Sequence, residues 1–457
     1  MMNSKEIVKV NIICHEDLIF SRLSYVLAFL NNHPLKPSNV EIILNDKING
    51  DISINYSSLI VNGITVPFQN LYFDTLNIYK SEIFINEYSY KENLLYSVEK
   101  ISKEQGEFFS GGLFGFDIFE MIFYHISRFE EFFARPDQMD YHARMKSKEQ
   151  LLVKYNLNRI PVVDQLVFSF FCALGFQMSN LATEYTLTHD IDATFKYNTL
   201  TKFPKSVVRV LLMGLGFIGV VRIIKSYVRK IINYFDDPYF SFDYLFRPET
   251  FFNRKIVFFV SGGSTRFDLY NKNYLKNLKK VVDYGIEKGY NIGFHPSYNA
   301  SSNAQLFNKE KEVLENISEQ KIEFCRTHFL RLDFKKSFQI ISNSNIRFDS
   351  TLGFPDLIGF RCGTGFECSL YDFTNEKKSN IREIPLVVMD GSSLQFQCNE
   401  NPECFKKDLY DFLSQNKLNT HITFNFHNSI FDVSLKSRTG LLAIYHELIK
   451  DLEKSKF

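Results

Sequence analysis

Thr186-Leu187-Thr188-His189-Asp190-Ile191-Asp192-Ala193-Thr194 is the stretch on which the predicted fold depends. Apolar and polar residues alternate from Tyr185 to Thr188, which predicts a strand, and the alternation stops where the acidic residues begin. Proteins that alternate strands and helices place functional side chains at the carboxyl ends of the strands. Two carboxylates two residues apart leave such an end on the same side. They are candidates for a shared site, although a solvated turn with an N-cap aspartate would show the same pattern.

The alternation of a strand with a helix repeats from Lys255 onward. Ionisable residues directly follow several of the predicted strands, at His295, Arg326, Asp349, Asp390 and His427. This alternation predicts a mainly parallel sheet, and the repeated placement predicts one shared rim. Counting from Tyr185 there are about seven strands, short of the eight of a full barrel. We therefore predict an α/β fold in which residues 181–457 form a distorted (β/α)7-type barrel.

Residues 1–180 have a different character and predict a smaller α/β companion domain. Apolar runs between Asn and Gly turn signals predict strands, and apolar residues at helical spacing predict helices. The predicted elements are strands 8–14, 40–44 and 58–61 and helices 114–133 and 161–177. No catalytic pattern is visible here. The expected role is substrate shaping or partner contact.

Length, charge and cysteine content limit the class of protein. A chain of 457 residues suggests two domains, or a barrel with an appendage. Lys+Arg of 53 against Asp+Glu of 52 gives no net positive field, which argues against a nucleic-acid partner. The seven cysteines form no CxxC pair and the start lacks a signal-peptide pattern, so a cytoplasmic location with reduced thiols is expected. Cys398 and Cys404 could pair in an oxidising compartment.

Residues 202–234 carry seven Lys and Arg and no acidic residue, and predict a helical insertion at about 202–235. The basic residues at 222, 225 and 229 share one helical face, opposite the apolar positions 221, 224, 228 and 231. This pattern is typical of a helix that lies in a membrane interface, which would make the protein peripheral at the inner face of a membrane. A two-helix excursion with a solvated basic face, packed on the companion domain, fits the pattern equally well.

Three residues of the rim predict a metal site. Asp192 and His295 offer a carboxylate and an imidazole, which are ligands of catalytic zinc-type sites with positions open to water. Asn299, four residues after His295, could reach the same ion through its amide oxygen.

Three further residues predict acid–base chemistry beside that ion. Asp190 is free to act as a base on water whose pKa the ion lowers toward ~7. Arg326 could hold Asp190 ionised through a bidentate contact. His427, on another strand, could protonate a leaving group. A strand-end histidine is usually only a capped residue, so the set as a whole carries the prediction.

Several motifs resemble one known family. In chain order they are Thr-His-Asp-Ile-Asp at 188–192, Gly-Phe-His-Pro-Ser at 293–297, Arg-Thr-His-Phe-Leu-Arg at 326–331, Asp-Ser-Thr-Leu-Gly-Phe at 349–354, Gly-Phe-Arg at 359–361 and Phe-His-Asn at 426–428. The order is similar to that of the polysaccharide deacetylases, carbohydrate esterase family 4. It most resembles the bacterial two-domain branch found with surface-polysaccharide genes, whose N-terminal domain is uncharacterised.

The resemblance implies a distorted barrel that removes an N-acetyl, or an O-acetyl, group from a sugar with a divalent metal. It implies zinc, with nickel, cobalt or manganese as alternatives. By position, Asp190 matches the catalytic base, Arg326 the arginine that orients the base, and His427 the catalytic acid. Asp192 and His295 match metal ligands. The implied partners are an acetylated sugar or a lipid- or nucleotide-linked glycan.

The sequence departs from the family pattern at two positions. Ile191 separates two aspartates that are usually adjacent, and Asn299 stands where the family has a second metal histidine. His328 could supply the missing imidazole, or it could contact substrate or be buried. The change at Asn299 raises an alternative from another functional class, a catalytically silent carbohydrate-binding or assembly protein on the same barrel.

Overall fold

The computed structural model describes most of the chain. The described residues are 7–14, 20–45, 51–59, 62–69, 71, 73, 84–90, 93–99, 106–197, 202–212, 216–233, 236–246, 251–268, 272–432 and 440–454. Within them, no helix has both the length and the apolar character that a bilayer crossing requires.

The described residues of the first part of the chain form two sheets. Its strands are β1 (Val8–Cys14), β2 (Val40–Leu44), β3 (Ile52–Ser57), β4 (Ile64–Pro67), β5 (Phe84–Tyr90), β6 (Asn93–Glu99), β7 (Gly106–Glu107), β8 (Phe109–Ser110) and β9 (Leu113–Phe114). The larger sheet has the order β2-β1-β3-β4-β9-β8, and all its pairs are parallel except β8 with β9. β1 and β2 lie where they are predicted. The strand predicted at 58–61 is wrong, since pairing ends at Ser57 and Ser58 and Leu59 form a bend. Residues 60 and 61 lie outside the described ranges.

The helices of this part are α1 (Phe20–Asn32), α2 (Ile118–Ile126), α3 (Phe129–Phe132), α4 (Leu151–Lys154) and α5 (Val162–Ala173). The single helix predicted at 114–133 is two helices. Asp117 begins α2 by accepting hydrogen bonds from the backbone of Phe119 and Glu120. Arg128 then adopts a left-handed conformation, with φ 56°, and ends the run. The buried guanidinium of Arg128 donates to Glu131 and fixes this break.

The second part contains one sheet of nine strands. They are β10 (Glu184–Ile191), β11 (Arg254–Phe259), β12 (Asn291–Phe294), β13 (Phe324–Cys325), β14 (Phe348–Asp349), β15 (Cys368–Asp372), β16 (Lys377–Glu383), β17 (Val388–Met389) and β18 (His421–His427). Their order is β15-β16-β14-β13-β12-β11-β10-β18-β17. Every pair is parallel except β15 with β16, which confirms the predicted α/β class with a mainly parallel sheet.

The helices of this part are α6 (Lys202–Leu212), α7 (Gly216–Ile232), α8 (Phe242–Leu245), α9 (Lys272–Glu287), α10 (Ala304–Ser318), α11 (Ser337–Ser342), α12 (Pro402–Gln415) and α13 (Leu441–Glu453). Asn303 caps α10 and Asn401 caps α12 through their side-chain oxygens.

The strand predicted at 384–388 is displaced. Its residues link β16, which pairs with β14, to β17, which pairs with β18. The Ile384 amide still donates to Asp349 on the β14 side, whereas the Val387 amide donates to Thr423 on the β18 side. This link therefore passes from one edge of the sheet to the other.

Two large hydrophobic cores lie among the described residues. One lies between the nine-stranded sheet and its helices, and the other lies in the first part. The second core also takes in Phe366, Cys368, Tyr371 and Phe373 from β15 and its flanks, so it extends beyond residue 180. The buried Arg361 adds an ion pair with Glu131. The two parts of the chain are therefore packed together at this boundary.

Cys398 and Cys404 form a disulfide, with Cα atoms 5.5 Å apart. The other five cysteines, all within the described ranges, form no disulfide. The expectation of seven reduced thiols is therefore wrong for this pair. Because disulfides are typical of oxidising compartments, the cysteines do not support a cytoplasmic location.

Candidate active site and metal centre

The candidate site lies where the parallel strands of the nine-stranded sheet end. In the register of β10 and β18, Asp190 is opposite His427. His295 directly follows β12, and Arg326 directly follows β13. Because the carboxyl ends of parallel strands meet at one edge of a sheet, these four side chains converge there.

Asp192, His295 and His328 form a group whose ligand atoms all lie within 4.8 Å of one another. His295 Nε2 is 3.4 Å from Asp192 Oδ1, and His328 Nε2 is 3.7 Å from the same oxygen. Among the described residues, no donor makes a hydrogen bond of normal geometry to this buried oxygen. A buried carboxylate oxygen in that state is costly, and a cation would satisfy it. One carboxylate and two imidazoles are a donor set that fits a catalytic divalent metal.

Contacts behind the two imidazoles orient them. His295 Nδ1 contacts the carbonyl oxygen of Arg326. His328 Nδ1 lies 3.5 Å from Asp268 Oδ1, and the same oxygen accepts a hydrogen bond from the Tyr298 amide. Burial alone would raise the pKa of Asp268, but the interaction with His328 and the backbone hydrogen bonds lower it to about 2. Both rings therefore present Nε2 to Asp192, as outer-shell partners of metal-binding histidines usually ensure.

A strained turn carries His328. Phe329 and Leu330, the next two residues, have φ of 60° and 53°. Left-handed backbone of this kind is unfavourable for non-glycine residues, at roughly 1–3 kcal/mol each. Arg144, from the first part of the chain, donates from Nη1 to the Phe329 carbonyl at 2.6 Å, and pairs with Asp140 at 2.7 Å. These contacts hold the turn in place.

Asn299 does not lie in the site. It is exposed, and it precedes the short helical turn Ala300–Ser302. It is absent from the residues that line the pocket. The third residue of the candidate metal group is His328, so the structure does not support the predicted Asn299 ligand.

Asp190 is a buried carboxylate held from two sides. Arg326 Nη1 donates to Oδ1 at 2.9 Å, and Asn425 Nδ2 donates to Oδ2 at 2.9 Å. Arg326 is fixed in turn by Ser350, whose carbonyl and hydroxyl both accept from its guanidinium at 2.8 Å. Burial would raise the pKa of Asp190, but the charges of Arg326, His295 and His427 together outweigh burial, and the pKa is lowered. Asp190 is therefore ionised and fixed in orientation.

His427 has the opposite charge state. Its Nδ1 lies 2.7 Å from Asp390 Oδ1, and its Nε2 lies 3.8 Å from Asp190 Oδ2. Burial disfavours the charged ring, but Asp390, then Asp192 and Asp190, outweigh it and raise the pKa of His427 to about 10. The site thus holds a proton acceptor and a proton donor side by side at neutral pH.

A cavity of about 320 Å³ opens over these groups. Its polar lining includes Asp190, Asp192, His295, His328, Asp390 and His427. Its walls come from distant parts of the chain: Phe329, Leu330, Met389, Gln395, Phe396, Ile430, and His142 and Arg144 of the first part. His142 stacks on Phe329, with ring centroids 4.8 Å apart. The first part of the chain therefore shapes one wall of the site.

With this geometry established, comparison with known proteins gives a limited result. A model of a family of unknown function, DUF7033, matches residues 11–179. This match covers His142 and Arg144 of the cavity wall and ends before Asp190. No curated protein matches the sequence.

Solved structures that match part of the chain include two described as polysaccharide deacetylases. A Mycobacterium smegmatis protein described as a polysaccharide deacetylase is 12% identical, with a TM-score of 0.32, and the alignment covers 59% of this chain and 85% of that one. Puue allantoinase is 11% identical, with a TM-score of 0.35, covering 59% and 84%. A mutant CE4 family pseudoenzyme with restored enzymatic activity is 8% identical, with a TM-score of 0.28, covering 60% and 66%. Identity and TM-score are low throughout, so the site must be interpreted from its own geometry.

Several residues of the site have no role that the sequence pattern predicts. Asp390 follows a predicted strand and was visible as a rim residue, but nothing in the sequence pairs it with His427. Asn425 lies two residues before His427 on β18, so its side chain leaves the strand on the same side. Asp268, His142 and Arg144 carry no local signal, because long-range packing brings them to the site.

Proposed function

We propose that this chain is a metal-dependent hydrolase that removes the acetyl group from an N-acetylated sugar. The observation that carries the proposal is geometric: Asp190, held by Arg326, and His427, held by Asp390, lie beside a metal-ligand group. Asp190 is ionised, His427 is protonated, and both line one cavity with Asp192, His295 and His328. The choice of an acetylated sugar as substrate comes from the motif resemblance.

The residues account for the proton transfers of amide hydrolysis. Asp190 accepts a proton from the attacking water as a C–O bond forms at the acetyl carbonyl carbon. His427 Nε2 donates a proton to the sugar nitrogen as the C–N bond breaks, which releases acetate and the free amine. Asp390 orients His427 and stabilises its charged form. Arg326 and Asn425 keep Asp190 ionised and turned toward the cavity.

In this proposal, Asp192, His295 and His328 bind the metal. A divalent cation held there would supply a Lewis acid for the acetyl carbonyl and would lower the pKa of water. Two imidazoles and one carboxylate favour zinc, and nickel, cobalt or manganese are compatible with the same donors.

The fold proposal follows from the link at 384–387. If β16 and β17 act as one strand bordered by β14 and β18, the sheet is a distorted seven-stranded barrel. Residues 1–180 are then a companion domain that supplies His142 and Arg144 to the cavity. A role in bacterial surface-polysaccharide biosynthesis belongs to the proposal as well.

Acetate release tests the proposed function directly. The metal-replete protein is incubated with nucleotide-linked and lipid-linked N-acetyl sugars, with the matching O-acetyl sugars as a comparison. We expect release from an N-acetyl sugar by the wild-type chain, and release about 10²–10⁴-fold slower by Asp190→Asn. Absence of turnover with every substrate, from protein shown to be metal-loaded, would overturn the proposal.

One observation favours a second candidate function. Asn299 replaces the histidine that the family pattern has, and this fits a silent carbohydrate-binding or assembly protein. His328 supplies an imidazole to the metal group, which counters the argument. A stoichiometric metal content after purification would count strongly against the silent protein.

A further inference from the structure

α6 and α7 form a helical hairpin with a small core of its own. Val210 and Ile223 are buried between the two helices, and Phe203, Val207 and Val220 pack around them. The inner faces of the hairpin are therefore satisfied by mutual packing. The outer faces of the hairpin are not covered by this packing, so their composition indicates what the hairpin can bind.

The outer faces are strongly apolar. Leu212 at the end of α6 and Phe217 near the start of α7 are 84% and 81% exposed. Further exposed apolar side chains continue along both helices: Val208, Leu211, Ile218, Ile224, Val228, Ile231 and Ile232. On α7, positions 217, 224, 228 and 231 recur at helical spacing and form one stripe. A contiguous apolar patch on a surface indicates an interaction site.

The charge of the hairpin indicates what covers this patch. Lys225 and Arg229 are exposed beside the apolar stripe of α7, and Lys205 is exposed on α6. No acidic residue occurs in 202–234, although the whole chain is balanced in charge. Apolar residues on one face flanked by basic residues match the boundary between the acyl chains and the anionic headgroups of a bilayer. Neither α6 nor α7, over the residues described, is long and apolar enough to span a bilayer, so the hairpin would lie in the interface.

The base of the hairpin is joined to the wall of the candidate site. Asp237, after α7, accepts from the amides of Lys196 and Tyr197, which precede α6. Asn428 Nδ2 donates to the carbonyls of Ala193 and Tyr239 on the two sides of the hairpin. The residues that follow Asn428 line the cavity.

We propose that the α6–α7 hairpin docks the protein on an anionic bilayer surface, with Leu212, Phe217 and Ile218 inserted and the basic residues on the headgroups. A consequence, which rests on the proposed function, is that the cavity acts on an acetylated sugar carried by a lipid in that bilayer.

Co-sedimentation of the full chain with vesicles tests the docking. The vesicles are phosphatidylcholine alone or an equimolar mixture with phosphatidylglycerol. We expect binding to the anionic vesicles that weakens with salt. Changing Phe217 and Ile218 to serine should weaken the binding by roughly tenfold or more. Changing Lys225 and Arg229 to glutamine should weaken it by roughly 30-fold.

Matched controls use exposed residues outside the hairpin. Leu418→Ser controls for loss of an exposed leucine, and the Lys377→Gln, Lys378→Gln pair controls for loss of two charges. Neither control should change vesicle binding. The proposal would be overturned if the wild type does not bind the vesicles. It would also be overturned if both hairpin variants bind them as tightly as the wild type. A self-association in solution that the Phe217 and Ile218 changes abolish, without vesicle binding, would assign the patch to a second copy of the chain instead.

Turnover separates this proposal from the proposed function. The hairpin variants should release acetate normally from a soluble nucleotide-linked sugar and poorly from a lipid-linked sugar in vesicles. If the hairpin variants lose acetate release equally on both substrates, the protein does not act preferentially on a lipid-linked sugar in the bilayer. If the wild type has no turnover at all, the proposed function fails, while the sedimentation result still decides the docking.

Discussion

Asp190 and Arg326 form a buried ion pair, with Oδ1 and Nη1 2.9 Å apart and neither side chain more than 3% exposed. They lie 136 positions apart in the chain, at the ends of β10 and β13. An ion pair removed from water is stable only when its hydrogen bonds are satisfied. Ser350 and Asn425 satisfy the remaining groups here. The pair therefore sets both the charge and the direction of the proposed base.

Arg326→Gln should destabilise the protein and raise the pKa of Asp190. The loss of one partner leaves a buried carboxylate without its counter-charge, which costs about 3–5 kcal/mol of the free energy of unfolding. Urea unfolding measures this cost. The matched double variant, Arg326→Gln with Asp190→Asn, should recover part of the stability because no buried charge is left unpaired. A double variant no more stable than Arg326→Gln alone would contradict the ion-pair account.

Asp390→Asn should move the alkaline limb of the activity profile to lower pH. The Asp390 carboxylate is the largest of the charges that raise the pKa of His427 to about 10. Activity that needs the protonated ring is present below that pKa and is lost as the pH rises through it. Removing the negative charge lowers the pKa, so the loss begins earlier. Profiles of kcat/KM against pH measure the shift. A limb that stays in place, or moves upward, would contradict the role of His427 as acid.

Arg144→Gln should weaken metal binding without unfolding the chain. The side chain supports the carbonyl of Phe329, in the strained turn that carries His328. Loss of an outer partner of a metal ligand typically lowers affinity by roughly 10–100-fold. Metal titration with a competing chelator measures the affinity, and circular dichroism monitors the fold. Arg266→Gln is a nearby control, since Arg266 contacts exposed Tyr141 instead of the turn. If Arg144→Gln and Arg266→Gln bind the metal with equal affinity, Arg144 does not support the metal site.

His125 should make stability depend on pH in the acid range. Burial, reinforced by Arg128, lowers the pKa of His125 from 6.5 to about 3. Between these values the unfolded chain binds a proton that the folded chain does not. The free energy of unfolding therefore falls as the pH falls below 6.5, by up to about 1.4 kcal/mol per pH unit.

The matched variant is His125→Phe, which removes this proton. Its loss of stability between about pH 7 and pH 5, measured by urea unfolding, should be smaller than that of the wild type. Between about pH 7 and pH 8 neither state binds the proton, so the two proteins should respond alike. An identical acid response would show that His125 is not the titrating group.

The parallel sheet of the second part could be predicted because its strands carry a local signal. β11, β12 and β18 are apolar runs bounded by turns, and the structure places them within a residue or two of the prediction. The link at 384–387 is different. Its apolar residues predict a strand, but the residues on either side of them pair in the sheet. The antiparallel strand β15 was not anticipated, because part of its apolar surface packs on the core of the first part.

The candidate site, like the sheet, could be predicted only where its residues carry a local sequence signal. Asp190, Asp192, His295, Arg326 and His427 were accessible from the sequence because each follows or ends a strand of one sheet. Asn299 was chosen by helical spacing from His295, but the backbone turns after Ser297 and leaves Asn299 at the surface. Arg144 and Asp268 belong to the site only through tertiary packing. Local patterns thus predict the rim, and long-range contacts decide which residues complete it.

The roles of the two aspartates test the central claim most directly. Metal content and acetate release are measured together for wild type, Asp190→Asn and Asp192→Asn. If Asp192 is a ligand, Asp192→Asn should lose metal and activity together, because an amide is a poorer ligand than a carboxylate. If Asp190 is the base, Asp190→Asn should keep its metal and lose about 10²–10⁴-fold in rate. A site emptied by Asp190→Asn but full in Asp192→Asn, or full activity in both variants, would contradict the account.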